Sequence, residues 1–382
     1  MRRNPILDSL GGNPVTRVQD LARDMRARGV PLIDFSIGDP REPTPPFIAE
    51  ALKAAVPAIS QYPTTKGLPE LRDAIADYVR RRFAVDVDPG TQIIPTTGSK
   101  ESIFSTPLAF VDRAAGDTVV WATPGYPIYE RGALLAGARG VAVPLGGDFV
   151  FRPDQISDAD WAAARLVWLC SPHNPTGSVT PPHVLAAFID RARDSGALLC
   201  ADECYADLYE ADPPVSVLEL AGDGSSGVLS YLSLSKRSGM TGYRAGAIVG
   251  DPEAIAALTM LRTATGTAAP EYTQAAAIAA WSDDAHAAER REVFTAKRRV
   301  LRDRFGAADL EVVGSEAGLY VWLRVDDDVR AAERLLQAGI VVSPGRAFGP
   351  GGEGFLRLAL VPTLDECERA AAAVVDVLKR PD

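Results

Sequence analysis

Histidine and cysteine are scarce in this chain of 382 residues, with three of the first and four of the second. His173, His183 and His286 stand far apart and form no HExxH or HxH grouping. That argues against a metal centre and against a Ser-His-Asp hydrolase. Cys170, Cys200, Cys204 and Cys367 fall mostly in apolar, strand-like runs. The CxxxC spacing of Cys200 and Cys204 does not suit a metal, so buried free thiols are expected. No stretch nears the roughly 20 apolar residues that cross a bilayer. The beginning, MRRNPILDSLGGNP, lacks the apolar centre of a secretory signal, so a cytoplasmic protein with no membrane partner is expected. Nor is there a basic run that could follow a phosphate backbone. The 40 Lys and Arg stand against 50 Asp and Glu, for a formal charge of -10, which makes nucleic acid a poor partner.

What is present is apolar mass in an α/β rhythm. Hydrophobic residues make up 47% of the chain and charged ones 24%, and the length exceeds one ordinary core, so two packed lobes are expected. Seven short β-rich runs recur: Ile93 to Thr96, Thr118 to Ala122, Gly140 to Val143, Leu166 to Cys170, Ala197 to Ala201, Val228 to Ser233 and Ala245 to Val249. Their unbroken hydrophobicity predicts strands covered on both faces, in a mostly parallel sheet. Helical stretches lie between them, such as Leu68 to Phe83, Lys100 to Phe110 and Pro181 to Ser195, the last with Thr180 as N-cap and Pro181 at N1. The final third changes character, with a charged helix from Ser282 to Arg304, further β runs and a closing helix from Leu364 to Leu378. This predicts an α/β fold: a large domain over residues 47–280 with a seven-stranded, mostly parallel sheet, and a smaller α+β domain from residues 281–382. The Pro-rich residues 1–46 read as an extended arm joining the smaller domain.

Two motifs fail on context. Gly349, Gly351 and Gly354 match GxGxxG, but a β run follows where a dinucleotide loop needs a helix. TTGSKES, from Thr96 to Ser102, lacks phosphate-loop spacing, yet Gly98 after a strand, with Ser99 and Lys100 opening a helix, presents N–H groups to an anion. Of six lysines, Lys236 stands apart: it follows the apolar strand VLSYLS and is flanked by Ser233, Ser235 and Arg244. An isolated lysine in a loop is ordinarily a surface residue. At the carboxyl end of a buried strand, desolvation and a nearby cation can instead lower its pKa into the range of imine chemistry. Two further strand ends carry Asp202 in ALLCADECY and Asn174 in SPHNPTG. Singly these read as an N-cap and a turn. Together with the lysine they offer a carboxylate for a protonated pyridine nitrogen and an amide for a phenolate oxygen, with Tyr205 as a second donor.

These residues, with the motifs SIGDP, QYPTTKGLPELR, TTGSKESIF, TPGYPIY, SPHNPTG, ADECY, SLSKRSGMTGYRAG and FLRLAL in order, resemble fold-type I pyridoxal 5'-phosphate enzymes of the class I and II aminotransferase group. The resemblance covers essentially the whole chain. It implies that Lys236 carries the cofactor covalently, that Asp202 pairs with the ring nitrogen, that Asn174 and Tyr205 hold the phenolate oxygen, and that Tyr126 stacks on the ring. It assigns the phosphate to Ser99, Lys100, Ser233, Ser235 and Arg244, with Tyr62 arriving from a second subunit, and so implies a homodimer. Arg357 would clamp the substrate carboxylate, aided by Gly38 and Asn174. The partners would be an amino acid and a 2-oxo acid.

Within the group the motifs are most similar to N-succinyldiaminopimelate aminotransferases of lysine synthesis. The chain departs from that pattern in reading SKRSGM and RTATGTAAP, the second from Arg262 to Pro270. Arg41 and Arg262 are candidates for a distal substrate carboxylate or for surface salt bridges. The rival readings are an aminotransferase of the same fold for another amino acid, for example in specialised metabolism, and a C-S lyase or racemase. A regulator would need an added DNA-binding segment.

Overall fold

In the computed structural model, which describes residues 3–9 and 16–380, the chain enters through the helix Thr16–Ala27 and the short strand β1, Ile33–Asp34. Seven strands follow: β2 (Ile93–Thr96), β3 (Thr118–Thr123), β4 (Arg139–Pro144), β5 (Ala164–Cys170), β6 (Leu198–Asp202), β7 (Val228–Ser233) and β8 (Gly246–Gly250). They form one sheet in the order β2-β8-β7-β6-β5-β3-β4. Only β8 runs against its neighbours, β2 and β7; the pairs among β3 to β7 are parallel. The expected α/β class and the mostly parallel sheet of seven strands are therefore found.

Burial explains why these runs are strands. Every residue of β3 and of β7 is buried, since helices cover both faces of the sheet. Side chains such as Val119, Val120, Leu166 and Val167 are wholly enclosed, each stabilising the fold by about 1.5–3 kcal/mol. At the edge, β4 buries only Val143. The helix Pro69–Phe83 turns Leu71, Ile75, Tyr78 and Val79 inward at helical spacing and stops where Ala84 adopts a left-handed conformation.

A second sheet holds β9 (Val312–Val313), β10 (Tyr320–Arg324), β12 (Ser343–Pro344) and β13 (Phe355–Ala359), while β11 (Ile340–Val341) pairs in parallel with β1. The N-terminal segment thus joins this part of the molecule, though it is not wholly extended. Val18 and Ala22 on its helix pack into the same core as Leu335 and Leu336. One helix start also differs from expectation: Pro181 is the N-cap and Pro182 opens the helix Pro182–Ser195, one residue later than Thr180 as N-cap would place it. Among the described residues no helix is long and apolar enough to cross a membrane.

Candidate active site

Parallel strands end together, so β5, β6 and β7 deliver their carboxyl ends to one edge of the sheet. Asp202 closes β6, Asn174 lies four residues past the end of β5, and Lys236 sits in the single turn Leu234–Arg237 directly after β7. The reversed strand β8 completes the edge. Because it begins where the others end, Gly246 pairs with both Ser233 and Thr96. Arg244, two residues before, is thereby set beside the helix Ser99–Phe110 that follows β2. A cavity of about 360 Å³ opens there, large enough for a small cofactor.

Gly38, Ser99, Lys100, Tyr126, Asn174, Asp202, Tyr205, Ser233, Ser235, Lys236, Arg244 and Arg357 all line this cavity. Tyr62 does not; its side chain stands fully exposed on the surface. Ser36, Ile37, Ile103, Cys204 and Tyr320 also line the cavity and were not anticipated. Tyr320 lies within the apolar strand β10, where only its hydroxyl, 2.9 Å from that of Tyr205, distinguishes it from core. Cys204 lies in the turn just past β6, where no sequence pattern marks it.

Two buried charges, Asp202 and Arg357, and the part-buried Lys236 surround the space. Asp202 is 4% exposed, accepts hydrogen bonds from the Tyr129 hydroxyl at 2.8 Å and the Cys204 N–H at 3.3 Å, and has no ion-pair partner among the described residues. Burial raises its pKa. The Lys236 ammonium donates to the Gly38 carbonyl and likewise makes no ion pair; burial brings its pKa down to about 8. Arg357 reaches in from β13. Its Nη1 donates to Asn174 Oδ1 at 3.1 Å and its Nη2 to the Ser36 carbonyl at 2.7 Å. The guanidinium lies 4.3 Å from the Tyr320 ring centre and 4.4 Å from that of Phe348.

At the other end, Gly98 caps the helix Ser99–Phe110 with φ 92°, beside the hydroxyls of Ser99, Ser233 and Ser235. A Cβ on Gly98 would collide with the Arg244 guanidinium. A helix N-terminus, three hydroxyls and an arginine without an acidic partner among the described residues form a seat for phosphate. With the unpaired carboxylate of Asp202 set to meet a cation, the donor set fits a phosphorylated pyridine.

The two arginines considered for a distal carboxylate lie elsewhere. Arg262 is buried against Glu101, its Nη1 at 3.0 and 2.8 Å from the two carboxylate oxygens. It forms neither a surface salt bridge nor part of the cavity wall. Arg41 is half exposed, and its nearest acid, Glu366, is 4.0 Å away. The cysteines are free, three of them buried.

Comparison with known proteins agrees with this geometry. A family described as aminotransferase class I and II matches residues 30–374. The chain is 40% identical over 345 residues to a 4-dedimethylamino-4-oxo-anhydrotetracycline transaminase, OxyQ, of Streptomyces rimosus, covering 90% of this chain and 92% of that one. It is 36% identical to an LL-diaminopimelate aminotransferase of Aquifex aeolicus, covering 90% and 91%. A solved structure described as a probable N-succinyldiaminopimelate aminotransferase from Thermus thermophilus superposes with TM-score 0.89 at 28% identity, covering 95% and 99%.

Proposed function

The chain belongs to the class I and II aminotransferases, and we propose that within this family it exchanges the amino group of N-succinyl-LL-diaminopimelate with 2-oxoglutarate. It is a transaminase, and the cofactor of its family is pyridoxal 5'-phosphate. When bound, that cofactor supplies an electron sink for the substrate Cα. The observation that carries the reading is the meeting of buried Asp202 and Arg357 with part-buried Lys236, three charges without ion partners among the described residues, around one cavity.

Each residue then has a physical task. Asp202 balances a positive ring nitrogen, which relieves the cost of its own burial. Lys236 would hold the cofactor and, once substrate releases it, would take the proton from Cα and return it, a task that its pKa, lowered by burial to about 8, assists. Arg357 and Asn174, with Gly38, fix the substrate carboxylate. Asn174 and Tyr205 donate to the phenolate oxygen, and Tyr126 covers the ring. Ser99, Lys100, Ser233, Ser235 and Arg244 hold the phosphate. Tyr62, fully exposed in one chain, completes the phosphate site of a second copy, so the working unit is a homodimer. The same reading makes residues 47–280 the cofactor-holding domain, with residues 1–46 and 281–382 forming the smaller one, in a cytoplasmic enzyme.

The substrate rests on the diaminopimelate relatives and on the motifs GDPREPTP and FGPGGEGFLRLAL. A second reading, an aminotransferase of specialised metabolism, is favoured by the 40% identity to the tetracycline-pathway protein and by the engagement of Arg262 with Glu101. Single half-reactions separate the two. The loaded enzyme is mixed with N-succinyl-LL-diaminopimelate, LL-diaminopimelate, glutamate or alanine, and the cofactor absorbance is followed. Fast conversion by the succinylated compound supports the first reading; indifference to it, with glutamate turned over, supports the second.

A further inference from the structure

Asp202 and Tyr126 are joined by a residue to which the roles above assign nothing. Tyr129, on the helix Ile128–Ala136, is 3% exposed and does not line the cavity. Its hydroxyl donates to Oδ2 of Asp202 at 2.8 Å. Its ring stacks on Trp168 of β5 at 5.1 Å and 15° between planes, and meets the Tyr126 ring edge-on at 5.7 Å. Trp168 is itself wedged against Tyr231 of β7 at 5.1 Å. The phenol is therefore fixed by a column of aromatic rings, and the carboxylate is fixed by the phenol.

We propose that Tyr129 is a positioning residue that keeps Asp202 ionised and turned toward the cofactor ring nitrogen. The inference rests on the assignment of Asp202 to that nitrogen. Oδ2 is occupied by Tyr129, while Oδ1 accepts from the Cys204 N–H at 3.3 Å, which leaves acceptor capacity on a carboxylate that lines the cavity. A buried phenol needs only some acceptor, and a backbone carbonyl would satisfy it. Choosing the carboxylate stabilises the charged form of Asp202 against burial.

The groups that face Asp202 add no charge of their own. They are Cys170 on β5, Tyr231 on β7, Cys204 and Tyr205 just beyond β6, Tyr126 on the cavity wall and Tyr320 from the second sheet. Burial raises the pKa of each, so all stay neutral across the working range. No cation among the described residues pairs with Asp202. Burial raises the Asp202 pKa, and the donors from Cys204 and Tyr129 are what oppose it.

The test is a double-mutant cycle read on the apoprotein's affinity for pyridoxal 5'-phosphate and on the pH titration of the bound cofactor's absorbance. Tyr129→Phe should bind the cofactor about tenfold more weakly, and the acid-side inflection should move up by about one pH unit. Asp202→Asn should lose more, and adding Tyr129→Phe to it should change nothing further. Tyr129→3-fluorotyrosine keeps the ring with a stronger donor. It should move the inflection down, and it serves if the phenylalanine variant does not fold. Wild-type values for Tyr129→Phe, or an additive loss in the double variant, would overturn the inference alone. Wild-type values for Asp202→Asn would overturn the assignment of Asp202 as well, so the two failures are distinct.

Discussion

Arg357 donates to Oδ1 of Asn174 at 3.1 Å across 183 residues of sequence, tying the second sheet to the end of β5 in the first. With Nη2 on the Ser36 carbonyl and the rings of Tyr320 and Phe348 on its faces, the guanidinium is held before any substrate arrives. Its Nε is buried with no hydrogen-bond partner among the described residues. A carboxylate therefore meets a preset planar fork, and little ordering entropy remains to be lost.

Arg357→Lys should raise KM for both amino donor and oxo-acid acceptor by about 10–100-fold, because a point charge cannot replace the fork. Steady-state kinetics with each substrate varied in turn checks this. A KM change for only one of the two would contradict a shared carboxylate site.

Lys236 makes a prediction about the empty apoprotein as a function of pH. Burial lowers its pKa to about 8 from the ordinary 10.5, so between those values the unfolded chain binds more protons and folding stability rises with pH. Below about 8 the desolvated ammonium carries the full penalty. Apo Lys236→Met should thus be the more stable protein at pH 7, by about 1–3 kcal/mol, with the gap closing as pH rises through 8 toward 10. Denaturant melts at several pH values measure it. Borohydride reduction of the loaded enzyme should label Lys236 and none of the other five lysines.

The site was legible where a polar residue ends an apolar run. Asp202 closes LLCAD, Lys236 follows VLSYLS, and Asn174 follows LVWLC, because a charge or an amide at such a place has to be used. Tyr129 and Tyr320 were not legible as site residues, since each lies inside a buried pattern and is polar only at its tip. The helix Thr16–Ala27 was missed because the prolines from Pro31 to Pro46 led the whole N-terminal segment to be read as an extended arm, although Val18, Leu21, Ala22 and Met25 recur at helical spacing. The tandem Pro181 and Pro182 both suit a helix start, and sequence could not choose between them. For Arg262 the sequence shows the cation but not Glu101, which lies 161 residues away and reaches it only through the packing of two helices.

Gly98→Ala should damage cofactor retention more than folding. The position has φ 92°, where a side chain is strained, and the added Cβ would displace the Arg244 guanidinium from the phosphate seat. The expected result is at least about tenfold weaker pyridoxal 5'-phosphate binding, seen by titrating the apoprotein, with a smaller fall in melting temperature. Affinity equal to wild type would mean that Arg244 does not hold the phosphate.

The last prediction separates the two arginines once considered for the distal end of the substrate. Arg262 is 2% exposed and paired with Glu101, and Glu101 also accepts from Thr97 and Ser105. Removing the cation leaves a carboxylate in a part-buried network, so Arg262→Gln should cost about 2 kcal/mol or more of stability. Because Arg262 is absent from the cavity wall, any loss of kcat/KM should be the same for N-succinyl-LL-diaminopimelate, glutamate and alanine. Arg41 differs: it is half exposed, its nearest acid is 4.0 Å away, and it lies three residues from Gly38 in the cavity wall. If the succinylated substrate is the right one, Arg41→Gln should lower kcat/KM for it and for glutamate about tenfold more than for alanine, since alanine has no second carboxylate to leave unpaired. Equal losses across the three substrates for Arg41→Gln would remove that residue as the reader of the side chain. The substrate assignment would then pass to the reading from specialised metabolism, because neither arginine considered for the distal carboxylate would read it.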